Sequence, residues 1–569
     1  MEQHEDSLGR VCPVRTQFVL PETILEGERN WTILRYACSL QSKSRTDDEI
    51  YRLASEANEK RCSPPMPESE VREIVQSVTS RYPKGHSADF AQCSVAFEHD
   101  ESEFSDLIKD GINDRVLSRV FGKMYSPRLR WVCDAHCWYT YDGKRWADGT
   151  SGGKELAERF MKEFVERLCR WAASIDDEDA RKKAMKETAK YNTEAKRRNL
   201  LNDSHEALKA HLKDFDTEKE LFNVQNGTIA LRPYPVFQPH NPADMITKVA
   251  ECSYDPDAGY GDWSDFLSRT FKGCEDVIPF LQRRMGLALA ADTTLECFYI
   301  AIGQTRTGKS TFCEALRNVF GDYAGTGDPS TFAEGRRRAQ NASPDYAGFR
   351  GVRFLTVPEL PERMPLDVAL IKRLTGGDVI TGRGLREDYV TFRPYCTVIV
   401  NTNFLPTLSD NTLFTSDRII VVPFRNKVPK ESRDFGLKAR METEEYKSGV
   451  LNWLLDGLTQ CDTFGSFVPE SCEREIAEYR DKSDVLGMFI SECCEFVEGS
   501  KTDGFAIYSK YSEWSKERHY GTLSSGNFYD KLRDTGYTVR RGIPDGLHRQ
   551  VRNCVSDLVL APMSGGLVR

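Results

Sequence analysis

Between residues 21 and 82, apolar positions recur every three or four residues in "NWTILRYACSL", "DDEIYRLASEANE" and "ESEVREIVQSV", each entered by Asp, Asn, Ser or Pro. This spacing predicts a small helical domain over 21–82, with one apolar face per helix. The period fades over 83–110, where "YPKGHSADFAQCSVAFEHDESEFSD" is polar and acidic and reads as a linker. Residues 111–259 form the next segment. Within it, "WVCDAHCWYTYDGKRW" sets aromatic residues on either side of an Asp-Gly turn, a hairpin signal, and "LFNVQNGTIALRPY" places Asn226-Gly227 between two apolar strands. Between these patches, "DDEDARKKAMKETAKYNTEAKRRN" reads as a solvated helix face.

From about 260 the helical stretches "WSDFLSRTF" and "VIPFLQRRMGLALA" lead into the short apolar run "FYIAI". Residues 260–430 therefore alternate helices and apolar strands, the pattern of an α/β core. Residues 431–569 are read as a C-terminal segment. Past 468 it runs through helices into the basic stretch "TVRRGIPDGLHRQVRN", so it is expected to be winged-helix-like, with Arg540, Arg541, Arg549 and Arg552 on or beside the wing.

Composition narrows the classes. Hydrophobic residues make up 39% and charged residues 29% of the 569, which places the chain in the globular class with room for several cores. No apolar run approaches the ~18 residues of a membrane span, and the start "MEQHEDSLGR" is acidic, so no membrane association and a cytoplasmic location are expected. The 17 cysteines lack paired C-x-x-C spacing and read as small buried side chains of a reducing compartment. The one cluster, "CDAHC" at Cys133–Cys137, has no second pair to complete a zinc site. A net charge of -9 confines any nucleic-acid contact to a local channel or one small domain.

One motif carries explicit chemistry. "GQTRTGKST" holds Gly303, Gln304, Thr305, Arg306, Thr307, Gly308, Lys309, Ser310 and Thr311, and its first eight residues read G-x-x-x-x-G-K-[ST] between an apolar strand and the helical stretch "TFCEALRNVF". In such a P-loop, backbone N–H groups and a helix N-terminus surround phosphates, the lysine reaches the β and γ oxygens, and the hydroxyl ligates Mg²⁺. ATP with Mg²⁺ is the expected ligand, with Lys309 and Ser310 in those roles.

Several further stretches, in order along the chain, resemble a known family. "YTYDGKRW", "LFNVQNGTIAL" and "YDPDAGYGDWSDFL" are similar to the segment that precedes the motor in the superfamily 3 helicases of phage, plasmid and poxvirus primase-helicases, and "FRGVRFLTVPE", "IKRLTGGDVITGR", "VNTNFLP" and "RIIVVPF" to that family's motor motifs. Residues 21–82 resemble the primase C-terminal-type helical domain of such proteins. The resemblance implies an α/β, AAA+-like P-loop core with a helical N-terminal domain and a winged-helix-like C-terminal one. It implies Glu359, at the end of a strand, as the acid that orients water and holds Mg²⁺ with Ser310, with Glu362 as an alternative. Asn403 matches the sensor asparagine, with Asn401 the competitor two residues away. Arg418 stands where the family has its arginine finger, with an ion pair to Asp417 as the bland alternative. Lys372, Arg373, Arg383 and Arg386 surround a hairpin that in the family contacts nucleic-acid phosphates. The basic run at 336–338 reads as a solvated loop.

The expected function is that of an ATP-driven, ring-forming DNA helicase of a phage, prophage or plasmid replication system. It would act as a homo-hexamer on single-stranded or forked DNA, with any primer synthesis supplied by a partner chain. The competing reading is a nucleotide-dependent switch or defence NTPase built on the same core.

Overall fold

The computed structural model describes residues 45–81, 111–147, 152–334, 344–362, 364–383, 389–408, 412–429, 431, 434–518, 522–545 and 551–561, with Phe104 and scattered residues before 45. It is a mixed α/β structure that divides into two compact units. One holds residues up to Pro406 and Asp417–Cys472, the other Thr407–Ser416 and Glu473–Arg569.

The N-terminal helices follow the sequence period. Helix α1 (Asp47–Arg61) starts at a capping box in which Thr46 and Glu49 exchange side-chain-to-backbone bonds, and α2 (Glu68–Arg81) packs against it. The buried Asn58 amide fixes the connection between them, donating to Met66 O at 2.9 Å and accepting from Met66 N at 2.8 Å.

The next layer is built from α3 (Asp114–Tyr125), β1 (Leu129–Val132), β2 (Cys137–Tyr141), β3 (Trp146–Ala147), α4 (Gly153–Ala173), α5 (Glu178–Thr188), α6 (Glu194–Asp203) and β4 (Lys209–Ala210). The four strands form one sheet in the order β3-β2-β1-β4, with the predicted Asp142-Gly143 turn joining β2 to β3. Cys133 and Cys137 flank the β1–β2 turn, and no cluster of three His, Cys, Asp or Glu side chains suited to a metal occurs among the described residues. The charged helix α5 buries only Ala184 and Thr188, as a solvated helix should.

Two elements depart from the sequence expectation. Residues 83–110 were expected to be linker, and apart from Phe104 they lie outside the described residues. Phe104 itself is fully buried, its ring 5.8 Å from Phe164 and 5.9 Å from Trp171, so the core of this layer starts before residue 111. The second hairpin, β5 (Leu221–Val224) and β6 (Gly227–Ala230), turns at Gln225 and Asn226 rather than at Asn226-Gly227. The turn is shifted by one residue, and Asn226, now its second residue, has its amide engaged by Tyr254, donating to Tyr254 O at 2.9 Å and accepting from Tyr254 N at 2.8 Å. Strand β7 (Val236–Gln238) completes this antiparallel sheet.

Helices α7 (Gly261–Thr270) and α8 (Val277–Leu289) lead into a five-stranded, wholly parallel sheet. Its strands are β8 (Phe298–Ile302), β9 (Ala324–Thr326), β10 (Phe354–Val357), β13 (Thr397–Thr402) and β14 (Ile419–Pro423), in the spatial order β9-β10-β13-β8-β14. Their near-continuous apolar runs suit a sheet covered on both faces. Helix α9 (Lys309–Phe320) follows β8, and α10 (Val368–Thr375) precedes an antiparallel hairpin of β11 (Ile380–Arg383) and β12 (Tyr389–Phe392). Helix α11 (Glu444–Phe464) packs along α8. Residues 431–472, expected with the C-terminal segment, therefore fold with the unit that holds the parallel sheet, because the apolar face of α11 needs α8 as its partner.

The second unit surrounds the core of Leu486, Phe489, Ile507, Tyr511, Phe528 and Val555, all fully buried. Helices α12 (Val485–Cys493), α13 (Gly504–Glu517) and α14 (Ser525–Asp534) accompany a sheet of β15 (Cys494–Asp503), β16 (Val539–Gly542) and β17 (Arg552–Leu560), in the order β15-β17-β16. No described helix is long and apolar enough to cross a membrane.

Truncating Phe104 tests the corrected boundary. Phe104→Ala should cost about 3–5 kcal/mol, the usual penalty for an emptied aromatic core position, and should advance the first calorimetric unfolding transition. An unchanged trace would return residue 104 to the linker.

Candidate functional site

In a parallel sheet the strands end together, and the loops that follow them meet at one edge. Three motifs distant in sequence meet there. The loop 303–308 leaves β8, Glu359 follows β10 by two residues, and Asn401 and Asn403 lie at and just beyond the end of β13. Strand β13 pairs with both β8 and β10, which brings all three ends side by side.

The loop's shape depends on two glycines. A Cβ on Gly303 would stand 2.1 Å from Phe424 O, a backbone atom that cannot swing aside, and Gly308 adopts φ 94°, in the left-handed region. Thr307 is buried and donates to Gln304 O at 2.8 Å, closing the loop on itself, whereas Gln304, Thr305 and Arg306 are exposed. Gly308 is the N-cap of α9 and offers no side chain to that helix's first N–H groups, which leaves them for a ligand.

Lys309 opens α9 and is only 6% exposed. Its ammonium donates to Gly303 O at 2.5 Å, Gln304 O at 2.9 Å and Asn403 Oδ1 at 3.0 Å. Asn403 Nδ2 in turn donates to the Glu359 carboxylate. Burial pushes the Lys309 pKa below the ordinary lysine value, and the negative charge of Glu359 opposes that shift. On the neighbouring position, Asn401 Nδ2 donates to Ser310 Oγ at 3.0 Å. The two asparagines thus take different partners: Asn403 joins lysine to carboxylate, while Asn401 orients the serine hydroxyl. Thr311 is half-buried on the first turn of α9, and Glu362 is exposed three residues beyond Glu359.

Arg418 is placed quite differently. It immediately precedes β14 and its carbonyl accepts from Phe298 N at 2.7 Å, so it sits at the opposite edge of the sheet from the 303–308 loop. The five-residue length of β8 sets the two edges about 17 Å apart. The expected alternative pairing with Asp417 is not formed: the guanidinium pairs with Glu296, and Asp417 takes a left-handed φ of 51°. Thr375 Oγ1 accepts a further bond from Arg418 at 2.8 Å. Sequence reading missed Glu296 and Thr375, and no local pattern marks either one, since both meet Arg418 only through the folded sheet.

Among the basic candidates, Lys372 and Arg373 are half-buried in the last turn of α10. Arg383 is the last residue of β11, and the hairpin predicted around it is present. Arg386 lies outside the described residues, as do 336–338 and Arg549. Arg540 and Arg541 are exposed on β16, and Arg552, on the adjoining strand, pairs with Asp503 Oδ2 at 2.8 Å.

Two family models match parts of the chain. The family model described as D5 N terminal like matches residues 118–272, and that of Primase C terminal 1 matches residues 17–84. These two segments of the chain are similar to the D5 N-terminal-like and primase C-terminal families. Relatives include "Putative helicase L207/L206" of Acanthamoeba polyphaga mimivirus, 22% identical over 75% of this chain and 48% of the relative. Another is "Putative helicase V13" of Sputnik virophage, 25% identical over 31% of this chain and 24% of the relative. The chain thus spans about half the length, or less, of these curated relatives. Among solved structures, the apo NrS-1 C terminal region aligns at 9% identity with a TM-score of 0.40, over 75% of this chain and 95% of that one.

The Gly303 contact is directly testable. Gly303→Ala should destabilise the protein by about 1–3 kcal/mol, because the added methyl must displace the backbone that continues β14. Thermal denaturation followed by circular dichroism measures it, and a wild-type melting temperature would contradict the close approach of Phe424 to the loop.

Proposed function

We propose that the chain is an ATP-hydrolysing motor that acts on DNA in replication, with the 303–311 loop as its nucleotide site. The observation that carries the reading is the junction Lys309–Asn403–Glu359. A buried cation, an amide and a carboxylate from three separate elements converge at the end of a parallel sheet beside an uncapped helix N-terminus.

The donor set suits ATP with Mg²⁺. Magnesium prefers hard oxygen ligands, keeps several waters and needs only one or two protein groups. The Ser310 hydroxyl and the Glu359 carboxylate are such groups, and they require no larger cluster. When bound, the ion supplies charge neutralisation on the phosphates. The chain's own residues do the rest. The Gly303 and Gln304 carbonyls and Asn403 hold the Lys309 ammonium ready, so that phosphate oxygens would take over from acceptors that the backbone now provides. Asn403 fixes the Glu359 carboxylate, which would accept a proton from the attacking water.

Arg418, at the far edge of its own sheet, would serve a neighbour's nucleotide, which makes a ring, by family resemblance a hexamer, a condition of catalysis. Lys372, Arg373, Arg383 and Arg386 would follow the phosphates of a single strand, and Arg540 and Arg541 those of an origin or fork. The basic hairpin and the Arg540–Arg541 strand favour this reading over a nucleotide switch that moves along nothing.

ATP turnover should rise with single-stranded DNA, and Glu359→Gln should bind a fluorescent ATP analogue normally while hydrolysis falls by at least ~100-fold. Absence of DNA stimulation across lengths and salt concentrations would favour the switch. Arg418→Ala and Lys309→Ala, each inactive alone, should recover part of the turnover when mixed, since some interfaces then join an intact loop to an intact arginine. A flat zero at every mixing ratio, with subunit exchange demonstrated, would remove Arg418 from its trans role.

A further inference from the structure

Arg418 is held on two sides by elements other than its own strand. Glu296, in the turn that enters β8, pairs with Arg418 Nη2, and at the end of α10 Nη1 donates to Thr375 Oγ1 at 2.8 Å and Lys372 O at 3.5 Å. The Arg418 side chain is only 17% exposed in this clasp, so it cannot at the same time extend across a subunit boundary.

The end of α10 is not an arbitrary anchor. A cation there meets the unsatisfied carbonyls and the negative end of the helix dipole. The Thr375 hydroxyl is itself fixed to the helix by its bond to Ile371 O at 2.9 Å, so the acceptor for Arg418 moves only if α10 moves. Shortly after Thr375, β11 begins at Ile380 and the chain enters the basic hairpin. The same helix carries Lys372 and Arg373. One short segment therefore links the proposed DNA-contacting residues to the arginine proposed to act on a neighbour's nucleotide.

Granting Arg418 the trans role proposed above, we infer that Glu296 and Thr375 are positioning residues that park its guanidinium against the end of α10. DNA held by the hairpin draws that helix end away and frees the arginine for the adjacent subunit. Stimulation of ATP turnover by DNA then reflects release of a parked group. The shift needs no new contact at the 303–311 loop, because a ligand that favours the released state changes its population.

The test uses the full chain with Thr375→Val, Thr375→Ser and Glu296→Gln, each alone and combined with Arg418→Ala. ATP turnover is measured with and without single-stranded DNA, and DNA affinity by fluorescence anisotropy. Loss of one hydrogen bond to a charged group corresponds to about a tenfold change in population. Thr375→Val and Glu296→Gln should therefore raise DNA-independent kcat about tenfold and, by linkage, tighten DNA binding by up to about the same factor, with the DNA-stimulated rate unchanged. Thr375→Ser keeps the hydroxyl and should behave as wild type, and Arg418→Ala should erase every gain. DNA-independent kcat that stays level or falls in both Thr375→Val and Glu296→Gln, with wild-type melting curves, overturns the parking role, as does a gain that persists without Arg418. If Arg418→Ala alone turns over ATP at the wild-type rate, the trans role fails and the inference with it. If Arg418→Ala is inactive while the other variants keep the wild-type stimulation ratio, only the parking is refuted.

Discussion

The burial of one ammonium group organises the upper edge of the parallel sheet. Lys309 is almost enclosed, and an enclosed charge is tolerable only when its hydrogens are matched to acceptors. Two of the acceptors are carbonyls of its own loop and the third is the Asn403 amide, so satisfying the charge folds the loop back over the helix start and pulls the β13 end against it. The Asn403 amide nitrogen then donates to Glu359, which follows the next strand. The demand of a single cation thus sets the relative positions of three chain segments.

The sheet's polarity then separates two kinds of chemistry. Everything that follows a strand lies at the edge with Lys309, and everything that precedes one lies at the edge with Arg418 and Glu296. Because all five strands run the same way, this division follows from topology rather than from particular side chains. An arginine at the entry of β14 is thereby kept from its own loop and tied to the helix before the hairpin, which places it where events at the hairpin can reach it.

The layer before the sheet is tied to it by another buried cation. Arg353, which enters β10, donates to Lys219 O at 3.1 Å, to Leu221 O at 2.7 Å and to Leu289 O, with its guanidinium 4.6 Å from the Tyr323 ring centroid. Those carbonyls come from the approach to β5 and from the end of α8. One side chain therefore joins the 111–259 segment, the helical lead-in and the sheet. Its carbonyl acceptors leave no trace in residue type, which is why the sequence showed Arg353 only as part of a strand motif.

The helices, the apolar strands, the hairpins and the 303–310 loop were legible in the sequence because each is a local matter: side-chain period, a turn residue, or a glycine at a position that excludes a Cβ. Local signals failed where a distant partner claimed the residue. Asn226 moved to the second place of its turn, where Tyr254 engages its amide, Phe104 was taken into a core by Phe164 and Trp171, and 431–472 was held to the first unit by α8. The sequence by itself determined which side chains in the loop and hairpin motifs carry cationic, acidic, amide or hydroxyl groups, since that chemistry belongs to residue type. Only the tertiary structure decided that Asn403 meets Lys309 while Asn401 meets Ser310, and that Arg418 pairs with Glu296 rather than its neighbour Asp417. A pairing depends on distance across the sheet, and strand order sets that distance without leaving a mark on adjacent residues.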